Sequence, residues 1–419
     1  MRLPIRLIRT TVVALASCLA ACGDPAPPTS LPSVSTKAGF SPGPDLAEPR
    51  HLHASVALAD GRVLVTGGFV GSGLDALQTT EIFVPGEDTW TEGPAMGFPR
   101  HAHQLVMLPS GDVLAVGGQT RTTLLNSAER FVPKNDAWES ENSMLVDRIN
   151  FTATWCPIDG MVVVAGGLST GDLNATPPSA SASSELYFPA LHAWNAGAGT
   201  IPLVQGRNQH TAAFVQSIGK VLVAGGAGEQ GLPVASAELF DPATRTWEAT
   251  APMAAPRSAH TLTALPDGTV IAIGGTTTDG ETLVSVEIYD GSGGSWSEGP
   301  PMPENAGRAN HTATLLAREG RLLVAGGTNS LGENLDSAWI LDIGSKTWTK
   351  VEGRLDAARH LHTAHLLPDG RVLLVGGTNG EAIRSTEIFT PPCASTAECP
   401  EDHICAAERV CAPLSAQSN

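Results

Sequence analysis

Short apolar runs that end in a Gly-Gly pair recur along the chain, and they set the secondary structure that the sequence predicts. Runs such as Arg371-Val-Leu-Leu-Val375 are apolar without alternation, which is typical of strands covered on both faces. The first glycines of the pairs are Gly67, Gly117, Gly166, Gly225, Gly274, Gly326 and Gly376, at intervals of 50, 49, 59, 49, 52 and 50 residues. No stretch shows convincing helical periodicity. The pattern predicts an all-β chain of seven units.

Four further side chains recur at fixed positions in these units. An arginine stands 17 or 18 residues before each pair, at Arg50, Arg100, Arg148, Arg207, Arg257, Arg308 and Arg359. A histidine follows three residues later, at His53, His103, His210, His260, His311 and His362, with Phe151 in the third unit. After each pair come a glutamate, at Glu81, Glu129, Glu185, Glu238, Glu287 and Glu387, and a tryptophan, at Trp90, Trp138, Trp194, Trp247, Trp296 and Trp348. The sixth unit has Trp339 in place of the glutamate. Each unit therefore reads as four short strands, with turns such as Leu367-Pro-Asp-Gly370 between them.

The repeat resembles that of the Kelch family, whose units carry a double glycine, a spaced Glu or Tyr and a Trp. The resemblance covers about residues 38–391, at the period of about 50 residues of Kelch repeats. It implies a seven-bladed Kelch-type β-propeller, in which each four-stranded blade buries its faces against its neighbours. We expect each tryptophan to lie between blades and each glycine pair to allow close approach of the inner strands.

The seventh unit ends without a fourth strand, and the N-terminal segment can replace it. Residues 40–50 match residues 90–100 in the aromatic residue, the Gly-Pro pair, an apolar position, and the Pro-Arg that follows. We therefore predict that residues 38–46 form the outer strand of blade 7 and close the ring.

The first residues read as a targeting segment. Arg2, Arg6 and Arg9 precede an apolar run too short to span a bilayer, and the Leu19-Ala-Ala-Cys22 that follows resembles a bacterial lipobox. We predict a lipoprotein signal peptide over 1–21, lipid attachment at Cys22 and a flexible tether over 22–37. An ordinary signal peptide with an incidental cysteine is the alternative. The expected location is the bacterial cell envelope, at the outer membrane, although the leaflet and the side stay open.

Acidic residues outnumber basic ones, 42 to 25, for a formal charge of −17. A field of that sign repels nucleic acid and anionic headgroups, so we expect no nucleic-acid partner and membrane contact through the lipid alone. The same charge also serves solubility, and we expect a monomer.

The cysteines after Cys22 form two groups. Cys156 falls in a predicted inner strand and is expected to be a buried free thiol. The tail, residues 392–419, holds four cysteines with five residues between neighbours: Cys393, Cys399, Cys405 and Cys411. In an exported protein they predict two disulfides, with three possible connectivities. Zinc is the alternative, although this spacing does not match common zinc sites.

The seven arginines are one candidate binding rim, together with Asn150 and Phe151, where the third unit departs from the pattern. They would ring one mouth of the channel and bind an anion or an acidic peptide. The competing hypothesis is that each arginine pairs with a repeated glutamate and serves the blade. His51, His101 and His360, in adjacent blades, would hold a metal or simply continue the repeat. Loop acids could instead take hydroxyl-rich or cationic ligands: Asp75, Glu229, Asp279, Glu281 and Glu333.

No enzyme motif stands out in the chain. Galactose oxidase-like propellers need two Tyr, two His and a Cys around copper, whereas the two tyrosines here, Tyr187 and Tyr289, sit at a structural strand position. There is no nucleophile elbow, phosphate-binding loop or zinc-protease motif, so we expect no cofactor. We predict a non-catalytic, surface-anchored scaffold that binds a protein, peptide or glycan through the loop face. A carbohydrate-active enzyme of the sugar mutarotase or lyase type, and a structural envelope lipoprotein, are the alternatives.

Overall fold

The computed structural model describes residues 38–71, 75–173, 180–195, 199–316, 320–393, 403–405 and 411–413. The predicted signal peptide, Cys22 and the tether lie outside these ranges. The described chain is almost entirely β, with short helical turns at Thr170–Leu173, Pro189–Leu191 and Glu229–Gly231. No helix in this part of the chain has the length and apolar character needed to cross a bilayer.

Seven antiparallel sheets follow one another along the chain as blades 1 to 7. Blade 1 comprises β2 (Ala54–Ala57), β3 (Val63–Thr66), β4 (Thr80–Val84) and β5 (Thr89–Gly93). Blade 2 comprises β6 (Gln104–Met107), β7 (Val113–Val116), β8 (Ala128–Val132) and β9 (Ala137–Glu141). Blade 3 comprises β10 (Thr152–Cys156), β11 (Met161–Ala165), β12 (Ser183–Phe188), β13 (Ala193–Trp194) and β14 (Ile201–Pro202). Blade 4 comprises β15 (Thr211–Val215), β16 (Lys220–Ala224), β17 (Ala237–Asp241) and β18 (Thr246–Thr250). Blade 5 comprises β19 (Thr261–Ala264), β20 (Val270–Ile273), β21 (Val286–Asp290) and β22 (Ser295–Glu298). Blade 6 comprises β23 (Thr312–Leu316), β24 (Arg321–Ala325), β25 (Ala338–Asp342) and β26 (Thr347–Lys350). Blade 7 comprises β27 (Thr363–Leu366), β28 (Val372–Val375), β29 (Thr386–Thr390) and β1 (Gly39–Pro42).

The blades form a closed ring. The first strand of each blade contacts the first strand of the next, and β27 of blade 7 contacts β2 of blade 1. The apolar residues of the second strands are buried, and seven core clusters each join neighbouring blades, as where Leu114 and Val116 pack with Val162 and Val164. The predicted seven-bladed, all-β propeller is confirmed.

The N-terminal segment closes blade 7, as predicted, although its strand spans Gly39–Pro42 and is shorter than the predicted 38–46. β1 pairs with β29 in antiparallel register, with Gly39 opposite Thr390 and Pro42 opposite Glu387. The Phe40 ring lies 5.1 Å from the Phe389 ring. Because β29 would otherwise be an unpaired edge, β1 completes the last sheet.

Each repeated tryptophan ties its blade to the preceding one. The indole N–H of Trp90 donates to the Pro44 carbonyl at 3.0 Å, and that of Trp138 donates to the Pro94 carbonyl at 3.0 Å. Trp194, Trp296 and Trp348 also donate to a backbone carbonyl of the preceding blade, whereas Trp247 donates to the Ser184 hydroxyl at 2.8 Å.

The glycine pairs allow adjacent blades to touch through their backbones. Gly67 has φ +61°, and a Cβ there would lie 2.2 Å from the Arg100 carbonyl oxygen of the next blade. The N–H of Gly68 donates to that same carbonyl at 2.9 Å, and every later pair makes the equivalent bond. Only glycine fits this left-handed, crowded position.

Two opposite faces surround the channel. We call loop face the segments after each glycine pair together with the five residues before each repeated arginine. We call hairpin face the turns that join first to second and third to fourth strands. Gly39 and Thr390 lie opposite each other at the hairpin end of blade 7, so both ends of the propeller chain are on the hairpin face.

The tail begins at that end. Cys393 is buried and disulfide-bonded to Cys405, within the short hairpin of β30 (His403–Cys405) and β31 (Cys411–Pro413). Cys399 lies outside the described residues, so the second expected disulfide stays a prediction. Cys156 is a buried free thiol.

Candidate functional site: the loop face

The seven repeated arginines lie beneath the loop face, not on it. All are 0% exposed, which contradicts the prediction that they form a binding rim. In six blades the guanidinium contacts the repeated glutamate, with Nη2–Oε1 distances between 2.5 and 2.9 Å. Burial lowers the pKa of Arg207, and the Glu238 carboxylate opposes that change. The competing hypothesis of Arg–Glu pairing describes these six blades.

The buried glutamate also fixes the backbone of the loop face. The second carboxylate oxygen of Glu238 accepts a bond from the Val204 N–H at 2.7 Å, and Oε1 accepts one from the Gln205 N–H at 3.0 Å. Glu185 holds Leu145 in the same way, at 2.7 Å, and Glu129 holds Gly97 at 2.6 Å. One charge therefore joins the buried arginine to the connection above it.

A hydroxyl residue two positions before the glutamate completes each cluster, and sequence reasoning missed it. Ser236 Oγ accepts a bond from Arg207 Nη2 at 3.1 Å, and its carbonyl accepts one from Nη1 at 3.0 Å. All seven blades have this residue, at Thr79, Ser127, Ser183, Ser236, Ser285, Ser337 and Ser385. Its repetition in register was the available signal.

Blade 6 keeps its arginine without the carboxylate. Trp339 occupies the glutamate position, and two additional residues separate Met302 from Arg308 compared with Met253 and Arg257. The Ala306 carbonyl accepts a bond from Arg308 Nε at 3.0 Å, as the Ala357 carbonyl does from Arg359 Nε in blade 7 at 3.2 Å. Burial without a counter-charge lowers the pKa of Arg308 to about 10.

The repeated histidines join adjacent inner strands. His260 Nε2 lies 2.7 Å from Thr211 Oγ1 of the preceding blade, and four other histidines make the equivalent bond to a first-strand threonine. His103 instead bonds Thr66 in the second strand of blade 1, where Ala54 takes the first-strand position. All six are at most 7% exposed, and burial, followed by the nearby arginine, holds the pKa of His260 well below its usual value. Blade 2 has Gln104 at the threonine position, and blade 3 correspondingly has Phe151 instead of histidine.

The channel between the inner strands has a volume of about 480 Å³ and a neutral lining. Threonine hydroxyls and histidine rings dominate it, with no acidic or basic side chain other than the histidines among its lining residues. His365 bonds Ser55 at 2.5 Å, and burial lowers the pKa of His365 to about 4.

His51, His101 and His360 lie at the channel mouth on the loop face but do not assemble a metal site. The Phe69 ring stands between the first two, 5.6 Å from His51 and 3.7 Å from His101. His360 Nδ1 instead bonds the Asn334 side chain at 2.7 Å. Within the described ranges, no group of three potential ligands is placed to hold a metal ion.

The two divergent residues of blade 3 have different environments. Phe151 is 2% exposed and packs in the core between blades 2 and 3, so it is not a rim residue. Asn150 is half-buried at the mouth with φ +54°, and its carbonyl accepts a bond from the Gln209 N–H. The prediction of a joint Asn150–Phe151 contribution is therefore wrong for Phe151.

The exposed part of the loop face is acidic. Its described side chains include twelve acids: Asp45, Glu48, Asp75, Asp147, Glu229, Asp279, Glu281, Glu304, Glu333, Asp336, Asp356 and Glu381. Apart from the buried arginines, it has three bases, and each pairs with an acid of the same face: Arg121 with Asp75, Arg354 with Asp336 and Arg384 with Asp45.

Comparisons with known proteins define the family. Residues 150–377 match the KLHDC2/KLHL20/DRC7 Kelch-repeats domain, and residues 50–97 and 109–145 match the Kelch motif. The first match alone covers more than half of the chain. The chain belongs to the Kelch-repeat family.

A sequence relative and two solved structures place the chain more broadly. A tRNA wybutosine-synthesizing protein 4 from Saccharomyces cerevisiae is 38% identical over 77 residues, which are 18% of this chain and 11% of the yeast protein. The chain thus matches about a tenth of that relative's length. The structure of YjhT covers 74% of this chain and 99% of its own, with 16% identity and a TM-score of 0.55. A fungal alcohol oxidase of the AA5 family, in complex with copper, covers 85% of this chain and 77% of its own, with 15% identity and a TM-score of 0.65. At these identities the two structures show a shared fold alone.

Proposed function

We propose that the chain is a non-catalytic binding scaffold that recognises a protein or peptide partner through its loop face. The observation that carries the proposal is where the repeated polar residues go. The arginines, glutamates and histidines are committed to buried contacts within and between blades, and the side chains that vary between blades stand on the loops above them. Loops held by a rigid scaffold are the usual place for recognition.

We further propose that Cys22 is lipid-anchored in a bacterial cell envelope. The propeller chain starts at the hairpin end of blade 7, so a tether over 22–37 would attach on that side. The loop face would then be the more distant from the membrane. Substitution Cys22→Ala should move the protein from the membrane to the soluble fraction, whereas an unchanged distribution contradicts the anchor.

Capture from an envelope extract tests the binding role, with the mature chain as bait. A loop-face variant, Glu229→Lys/Glu281→Lys/Glu333→Lys, is compared with a hairpin-face control that changes the same number of exposed acids, Glu87→Lys/Asp136→Lys/Asp159→Lys. We expect the loop-face variant to lose a defined protein that the control retains. Equal capture by both variants contradicts recognition through the loop face.

The neutral, hydroxyl-rich channel favours one second candidate, a carbohydrate-active enzyme of the mutarotase or lyase type. Sugar anomerisation or cleavage that is lost in Thr263→Val and Thr314→Val, two threonines that line the channel, would support it. We expect no such turnover. The same variants serve as channel controls in the capture experiment.

A further inference from the structure

Large apolar side chains are exposed mainly on the loop face. Among the described residues, seven such side chains are exposed, and five belong to this face: Phe98 at 49%, Leu145 at 61%, Val204 at 62%, Leu232 at 48% and Leu331 at 81%. Single exposed apolar residues are ordinary, but a group on one face is typical of an interaction surface.

Three of them form an arc over successive blades. Phe98, Leu145 and Val204 stand two or three residues before the arginines of blades 2, 3 and 4. The backbone N–H groups of Leu145 and Val204 are bound to the buried glutamates of their blades, as is that of Gly97 beside Phe98. The backbone is therefore fixed while the side chain points outward, which lowers the entropic cost of a contact.

Acidic loops continue the arc into blades 4 to 6. The loop of blade 4 carries both Glu229 and Leu232, so it joins the apolar arc to the acids. The loops of blades 5 and 6 are linked, since the Thr282 N–H donates to Ser330 Oγ at 2.8 Å. These three loops contain Glu229, Asp279, Glu281, Glu333 and Asp336 and no basic residue. Apart from Asp336, which pairs with Arg354, none of them forms an ion pair with a described residue.

We propose that the arc of Phe98, Leu145 and Val204 and the adjoining acidic loops dock a Lys- and Arg-rich amphipathic protein segment. The inference rests on the proposed binding role and names the partner's chemistry. Opposite charge would accelerate the encounter and reject acidic competitors, while the apolar arc supplies the desolvated contact. An acidic peptide meets no unpaired cation here, because the repeated arginines are wholly buried and Arg121 and Arg354 already pair with acids of the loop face.

Peptide binding to the mature chain tests the proposal. The probes are a fluorescent 14-residue Lys/Leu peptide of helical periodicity, its Glu/Leu counterpart and a plain oligolysine, measured by anisotropy at low and moderate salt. We expect the Lys/Leu peptide to bind most tightly and to weaken as salt rises. Glu229→Gln/Glu281→Gln/Glu333→Gln and Phe98→Ser/Leu145→Ser/Val204→Ser should each weaken it by about tenfold or more.

Variants on the hairpin face serve as controls, because they distinguish binding at the loop face from attraction to the overall negative charge of the protein. Glu87→Gln/Asp136→Asn/Asp159→Asn and Ile158→Ser/Leu191→Ser should change affinity by less than about twofold. Equal binding of the Glu/Leu peptide, or equal losses from both faces, overturns the cationic assignment. The two proposals can fail separately. If the loop-face lysine variant no longer captures the envelope partner but the Lys/Leu peptide does not bind the mature chain, the binding role is supported and the cationic nature of the partner is rejected.

Discussion

The two faces of the ring rest on different foundations. On the loop face, every connection lies over a buried arginine, and in six blades a buried glutamate fixes the backbone of that connection. The hairpin face is formed by turns with local bonds, such as that from the Thr269 N–H to Asp267, and an ion pair of Arg371 with Asp88 joins the turns of blades 7 and 1. In its described turns, eight acids stand beside five bases: Asp60, Glu87, Asp88, Asp112, Asp136, Asp159, Asp267 and Asp369 against Arg62, Lys134, Arg245, Lys346 and Arg371. The rigid, acidic, partly apolar face is thus opposite the one from which both chain ends leave.

The comparison shows that side chains repeated between blades and side chains that vary between blades lie at different depths below the surface. Residues that recur in every blade are buried and hold neighbouring blades in place. The side chains of the loop face above them can therefore differ from blade to blade, as they do in the five residues before each repeated arginine.

Acidification should have the largest effect on the stability of the propeller. The pKa of each repeated histidine is well below 6.5 in the folded chain, so only the unfolded chain takes up these protons as the pH falls. Their stabilisation is complete above about pH 6.5 and is lost below it, by about 1.4 kcal/mol per histidine and pH unit. Thermal unfolding between pH 7.5 and 5 measures the slope, and His260→Phe, which places in blade 5 the residue that blade 3 has at Phe151, should reduce it by about one proton. A flat profile over this range contradicts the histidine contribution.

Removing one buried carboxylate should have the next largest effect. Glu238→Ala leaves the Arg207 charge unpaired and two backbone N–H groups without an acceptor, which should lower the free energy of unfolding by about 3–5 kcal/mol. Glu248→Ala is the control in the same blade, because that exposed side chain pairs with Lys220 and should cost at most about 1 kcal/mol. Chemical denaturation measures both, and equal losses would break the distinction.

Blade 6 sharpens the role of the pair. Arg207→Met strands the Glu238 carboxylate, whereas Arg308→Met removes a charge that has no carboxylate beside it. We expect Arg308→Met to be the milder of the two by about 1–2 kcal/mol in denaturant unfolding. An equal or larger loss at Arg308 would show that the carboxylate adds nothing.

The exposed apolar residues should matter least for folding. Leu145, on the loop face, and Leu191, on the hairpin face, are 61% and 64% exposed. Each substitution to serine should change the free energy of unfolding by about 0.5 kcal/mol or less. A large loss at Leu145 in the melting curve would make it a structural residue and not a contact residue.

Much of the fold was predictable from sequence, because the regular spacing of the repeated residues gives both the number of blades and the way the ring closes. The segment before Arg50 could be matched to the one before Arg100 and placed in blade 7. The site was less predictable. Repetition could not distinguish an arginine aimed at the channel from one beneath the loops, since that depends on Glu238 and its equivalents reaching both partners. Val204 and Leu145 stand outside any strand pattern, so their exposure follows only from the backbone that the glutamates hold.

Site-specific photo-crosslinking tests the central claim most directly. The mature chain carries a photoreactive phenylalanine analogue at position 145 or, as the matched control, at position 191, and is irradiated in the cells that produce it. The account predicts a discrete protein adduct from position 145 and none from position 191. Adducts from position 191 alone, or from neither position, would contradict recognition through the loop face.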